Sequence, residues 1–177
     1  MNKKINILRA ILIILLLMMF ETIFNFSNQN GEKSGSISRE ITEKVTKNIK
    51  AIQKLEKCEK EKVLTKIEHY ISKLAHFSLY LVVGLLTMSL ICTFDLKNVK
   101  RIFIGLGIGV FYAASDEFHQ IFIPDRTASI FDIIIDSCGV FCGIIFAQLI
   151  IKIYFILKGG SIKSNNLKES WKDIIKN

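Results

Sequence analysis

Long apolar blocks, separated by stretches that collect the charge, organise this chain. Apolar residues dominate 7–26, 74–94, 102–123 and 128–157. Each block meets the roughly 20 residues that a helix rising 1.5 Å per residue needs to cross about 30 Å of hydrocarbon. The pattern predicts an all-α integral membrane bundle of about four transmembrane helices. The third block is the least uniform, because Asp116, Glu117, His119 and Gln120 follow its clean apolar run. Lys3 and Lys4 ahead of the first block, with Arg9 at its start, suit a signal peptide. Its exit, Glu21-Thr-Ile-Phe-Asn-Phe-Ser, has no small-residue cleavage pattern, so a retained anchor is expected.

Between the first two blocks lies a different pattern. Residues 27–36 are polar and Gly/Ser-rich and read as a loop. Beyond Ser38, apolar residues recur at helical spacing at Ile41, Val45, Ile49, Ile52, Leu55, Val63 and Ile67, with Lys and Glu between them. This predicts one or two amphipathic helices whose apolar stripe is too narrow to span a bilayer. The whole chain, 1–177, then forms a single membrane domain.

Charge adds a direction. Bases flank the first block at Lys3, Lys4 and Arg9, follow the second at Lys97, Lys100 and Arg101, and fill the tail 158–177. Arg126 is the only base in the short third connection. The positive-inside rule puts both termini in the cytoplasm of a bacterial plasma membrane, with 27–72 as an extracytoplasmic segment. That segment is itself lysine-rich, but long segments translocate with weak regard to charge. The excess of 24 Lys and Arg over 16 Asp and Glu belongs to these flanks. A nucleic-acid surface is not expected, and the lipid bilayer is the first partner. Of the cysteines, Cys92, Cys138 and Cys142 lie in apolar blocks, and none has C-x-x-C spacing, so packing is their expected role. No cofactor is expected, and no oligomeric state follows.

Alternating spans bring the remaining polar residues to one end, the outer one. Ser27 and Gln29 follow the first block. Lys73, His76 and Tyr80 share a helix face at the start of the second. Asp116, His119 and Gln120, with Glu117 beside them, close the third; Arg126 sits in the turn, and Asp132 and Asp136 open the fourth. Unpaired charge inside hydrocarbon costs at least about 2.5–3.5 kcal/mol per residue. These groups must therefore face one another or water, forming an acidic pocket with a few bases.

The stretches Phe26-Ser-Asn-Gln-Asn-Gly-Glu-Lys-Ser, Lys73-Leu-Ala-His-Phe-Ser-Leu-Tyr and Ser115-Asp-Glu-Phe-His-Gln-Ile-Phe-Ile-Pro-Asp-Arg, continuing through Asp132 and Asp136 to Gly143, resemble the VanZ-like family of bacterial membrane proteins. The likeness covers most of 26–145. Asp125 departs from it where the family commonly has Gly, and Asp136 stands where Asn is frequent. The resemblance implies a cell-envelope role linked to resistance to the glycopeptide teicoplanin, by a route that leaves the drug's peptide target unremodelled. It implies no settled reaction.

Two functions follow from the residues. An enzyme acting on an envelope lipid or glycan would use His119 or His76 as base, Asp116 to orient it and Arg126 to hold phosphate or carboxylate. Gln120, Glu117, Lys73, Tyr80, Asp132, Asp136, Ser27 and Gln29 would line its binding surface. A non-enzymatic protein would instead bind an envelope lipid or a glycopeptide antibiotic, sequestering the drug or shielding its target. A transporter fits less well without paired broken helices. His76, His119, Asp116, Asp132 and Asp136 offer metal-binding atoms, but no local ligand spacing supports a site and no metal is expected. Gly105/Gly109 and Gly139/Gly143 form small-residue faces expected to join the third and fourth spans.

Overall fold

The computed structural model describes residues 3–157; the expected cytoplasmic tail, 158–177, lies outside the described residues. The chain is all-α. Helix α1 covers Lys3–Ser27, α2 Gly31–Thr46, α3 Lys50–Gln53, α4 Lys57–Cys92, α5 Asn98–Gln120 and α6 Ile130–Leu157. Four of them run side by side in alternating directions, α1 and α5 one way, α4 and α6 the other. Contacts at both ends establish this. Arg9 of α1 bonds Thr93 just beyond α4, while Ser27 at the far end of α1 bonds Asp116 near the end of α5.

Three helices are long and apolar enough to cross a membrane: Lys3–Ser27, Lys57–Cys92 and Ile130–Tyr154. Large apolar side chains such as Ile14, Leu17, Phe103, Phe111, Phe146 and Ile150 project outward from the bundle. So broad an apolar surface suits lipid, not water. The expected third span is the exception. The 23 residues of α5 run the length of the bundle, but its polar last turns leave it less apolar than the other three. It also stops at Gln120 rather than 123, as Ile121 to Pro124 turn the chain.

Helix ends carry their own reasons. Beyond α4, the Thr93 carbonyl accepts from Arg9 Nη2 at 2.7 Å and the Phe94 carbonyl from Arg101 Nη2 at 3.3 Å, satisfying acceptors that a helix end leaves free. Arg9 also stacks 4.1 Å above the Phe94 ring. At the start of α6, Ser129 Oγ accepts from the Phe131 N–H at 3.2 Å, and Asp132 places negative charge in the first turn.

The segment between α1 and the second span differs most from expectation. Helix α2 begins at Gly31, inside the stretch read as a loop. Gly35 faces α4, where an added Cβ would stand 3.6 Å from Glu68 Oε1, and Arg39 joins the two helices by reaching Glu61 at 2.7 Å and Glu68 at 3.7 Å. Hydrogen bonds to Glu61 and Glu43 raise the Arg39 guanidinium further above its already high ordinary value. Helix α4 is continuous across the expected boundary near 74. At 36 residues it is about 54 Å long, well beyond the hydrocarbon thickness, so one part extends past the apolar bundle.

The seam between α4 and α6 positions everything else. A Cβ on Gly143 would strike the Leu81 carbonyl oxygen, and one on Gly139 would lie 2.5 Å from the Phe77 carbonyl oxygen. Only glycine permits this backbone approach. The expected partnership of the third and fourth spans is therefore half right. Gly105 and Gly109 do face α6, through Ile144 and Val140, whereas Gly139 and Gly143 face α4. Beside the seam, Tyr80, Val83, Met88, Ala113, Val140 and Ile144 form the buried core.

Candidate functional site

The in-register run of α4 beside α6 pairs Lys73 with Asp132 and, one turn deeper, His76 with Asp136. Lys73 Nζ donates directly to Asp132 Oδ1. His76 Nδ1 stands 4.0 Å from Asp136 Oδ1. Helical spacing on both helices makes this ladder, since 73/76 and 132/136 each return to one face.

A second polar group joins α1 to α5. Ser27 Oγ donates to Asp116 Oδ2 at 2.8 Å, and Gln120 Nε2 donates to the same oxygen at 3.2 Å and to Ser27 Oγ at 3.3 Å. All three side chains are buried. Asp116 also lies within electrostatic reach of His76, which connects this group to the ladder. Tyr80 and Asp136, 0% and 1% exposed, sit beneath both. Among the described residues, Tyr80 Oη, Asp116 Oδ1, Asp136 Oδ1 and His119 Nε2 are buried without a hydrogen-bond partner.

Around the rim, side chains hold backbone. Glu117 Oε1 accepts from the Ser129 N–H at 2.5 Å. Arg126 Nε donates to the Gln29 carbonyl at 3.3 Å, and its Nη2 to the Phe26 carbonyl at 3.1 Å. The Gly31 N–H donates to the Pro124 carbonyl at 3.2 Å, seating α2 on the α5–α6 turn. A Cβ at Gly31 would strike the Asp125 carbonyl oxygen, so this docking also requires glycine.

These contacts enclose a cavity of about 680 Å³, open on one side. Helix α2 contributes Ser34, Gly35 and Ser38, α4 contributes Thr65, Glu68, His69, Ser72 and Lys73, and the turn and α6 contribute Asp125, Arg126, Thr127 and Ser129 together with Phe131 and Asp132. Hydroxyls and charges dominate, with the Phe131 ring at the edge.

Every predicted site residue therefore falls at one end of the bundle, but in three different roles. Lys73, Gln120, Arg126 and Asp132 line the cavity. His76, Tyr80, Asp116 and Asp136 lie beneath it, with Ser27 bonded to Asp116. Glu117, Arg126 and Gln29 brace the loops, Gln29 through its carbonyl. The expected couple between Asp116 and His119 is not formed. His119 lies stacked on Phe24 at 4.8 Å, while Asp116 bonds Ser27 and Gln120. Arg126, expected to grip an anion, is directed to two main-chain carbonyls. Ser34, Ser38, Thr65, His69 and Ser72 were not anticipated. Thr65, His69, Ser72, Lys73 and His76 recur at helical spacing, and that polar stripe is the signal that could have exposed them.

Alternating helices, an apolar outer surface and a polar pocket at one end define a multi-pass membrane protein. The family model described as VanZ/LLP1 matches residues 11–152, and the chain belongs to that family. Comparisons with curated proteins and with solved structures return no match.

Proposed function

We propose that this chain is a binding protein of the bacterial plasma membrane that takes the head group of an envelope amphiphile into the cavity beside α2 and α4. In this reading α5 is a fourth span, both termini are cytoplasmic, and the cavity opens to the outside. The observation that carries the proposal is the cavity itself: about 680 Å³, polar within, at the end of an apolar bundle. Such a volume suits a small-molecule head group. Ile130, Phe131, Phe118 and Phe122 are exposed nearby and offer apolar surface to the attached chains. Occupying a lipid-linked target, or the acylated drug itself, would connect this binding to the glycopeptide resistance that the family resemblance implies.

The test is teicoplanin susceptibility of cells carrying wild type, Ser72→Phe or His119→Gln at matched membrane levels. Ser72→Phe fills the cavity without removing a hydrogen bond. Protection by wild type and His119→Gln, lost in Ser72→Phe, is the expected pattern. Protection by all three would refute the binding reading. A second reading, an enzyme acting on an envelope lipid or glycan, draws on the 4.0 Å approach of His76 to Asp136 one turn beneath the cavity. It expects a lipid or glycan mass profile that changes with wild type and reverts with His76→Gln.

A further inference from the structure

The cavity walls divide into side chains already engaged and side chains that are not. Both strong cations are engaged: Lys73 pairs with Asp132, and Arg126 holds the carbonyls of Phe26 and Gln29. Glu68 faces Arg39, Thr65 donates to the Glu61 carbonyl, and Ser129 Oγ accepts from the Phe131 N–H. A phosphate would share each of these cations with the partner it already holds. That leaves the hydroxyls of Ser34, Ser38, Ser72 and Thr127, the His69 imidazole and the Asp125 carboxylate. Among the described residues, none of these side chains is recorded in a hydrogen bond or ion pair, though all line the cavity. The hydroxyls are donor–acceptors set around one carboxylate, with the largely exposed Phe131 ring beside them.

Asp125 has a second peculiarity. It is the one non-glycine residue with positive φ among the described residues, at 60°. Glycine adopts that region most readily, and aspartate is among the few other residues that tolerate it. The turn therefore holds a carboxylate at the cavity wall.

Resting on the binding reading above, we infer that the cavity recognises a polyhydroxyl, glycosyl-type head group, with Asp125 accepting hydrogen bonds from adjacent sugar hydroxyls. Ser34, Ser38, Ser72 and Thr127 complete the set, and Phe131 supplies an apolar face for the C–H side of the ring. A carboxylate accepts from two hydroxyls at once, which a phosphate head group cannot offer. The sugar belongs to a membrane glycolipid or arrives free, and the chemistry is the same.

The full chain is incorporated into phosphatidylcholine vesicles containing equal amounts of glucosyl-diacylglycerol, diacylglycerol and phosphatidic acid, and bound lipid is read by native mass spectrometry. Wild type is expected to retain glucosyl-diacylglycerol over diacylglycerol. Asp125→Gly, which suits the positive φ and preserves the turn, is expected to lose that preference by about tenfold or more, the effect of one charged acceptor. Displacement by added methyl glucoside identifies a free sugar as a ligand of the same site; retention against it identifies the lipid-anchored form. Preferential retention of phosphatidic acid overturns the glycosyl class and leaves head-group binding standing. Equal preference in wild type and Asp125→Gly overturns the role of Asp125. No enrichment of any lipid over the bulk, with no effect of methyl glucoside, removes both proposals.

Discussion

Three Gly→Ala substitutions separate the α4–α6 seam from the rest of the bundle. All add the same methyl group, so differences in stability report only what it meets. At Gly107 nothing lies within 4 Å of the added Cβ. Replacing a helical glycine there should stabilise by roughly 0.5–1 kcal/mol, because alanine loses less backbone freedom on folding. At Gly105 the nearest atom is Ile144 Cδ1, 3.1 Å away, the end of a side chain that can turn aside. The helix gain and the crowding should nearly cancel. At Gly143 the methyl runs into the Leu81 carbonyl oxygen and stands 2.7 Å from the Leu85 nitrogen. Neither can move unless α4 and α6 separate, which also opens Val140 and Ile144 beside them. Overpacking of this sort costs about 1–3 kcal/mol or more. The order of stability should be Gly107→Ala, then Gly105→Ala, then Gly143→Ala, read by reversible unfolding in mixed micelles. Equal stability of Gly143→Ala and Gly107→Ala would show that the helices do not approach through this glycine.

The polar end gives further expectations. Lys73→Met should destabilise by about 3 kcal/mol or less, since it strands a partly buried Asp132, whereas Lys73→Met with Asp132→Leu should recover most of that loss; unfolding of both variants decides it. Ser27→Ala removes a hydrogen bond to a buried carboxylate and should cost about 1.5–3 kcal/mol in the same measurement. Cys58 is exposed on the part of α4 beyond the bundle, so a membrane-impermeant maleimide should label it on intact cells. Protection until lysis would invert the proposed topology.

The apolar blocks announced the helices because a spanning segment needs a long run of one character, and such runs survive inspection residue by residue. The common depth of Ser27, Lys73, Asp116 and Asp132 was legible for a related reason: alternation of spans leaves few places for polar residues to meet. Tertiary choices were not legible. Small residues at 139 and 143 advertise close packing but do not say against which helix, and they chose α4. Gly31, Ser34 and Gly35 have poor helix propensity, so their composition suggested a loop. Docking on Pro124 and Asp125, with Arg39 fastening α2 to α4, overrides that preference. With the first turns of α2 read as a loop, the part of the cavity wall that Ser34 and Gly35 supply was missing too. Asp116 and His119 share a helix face, yet a shared face permits contact without requiring it, and Phe24 took the imidazole instead.

Continuity of α4 has a consequence for how the gene can change. The same rod presents Thr65, His69 and Ser72 to the cavity and, further along, Tyr80 and Gly84 to α6. The two faces are locked in angular phase. One residue inserted between 72 and 73 rotates everything before it by about 100° relative to the bundle, turning the hydroxyl stripe away while the seam stays intact. Insertions of seven residues, close to two full turns, nearly restore the phase. Length variation at this junction should therefore be selected against in two ways, single-residue changes because they rotate the stripe and heptad-sized ones because they carry it about 10 Å along the rod.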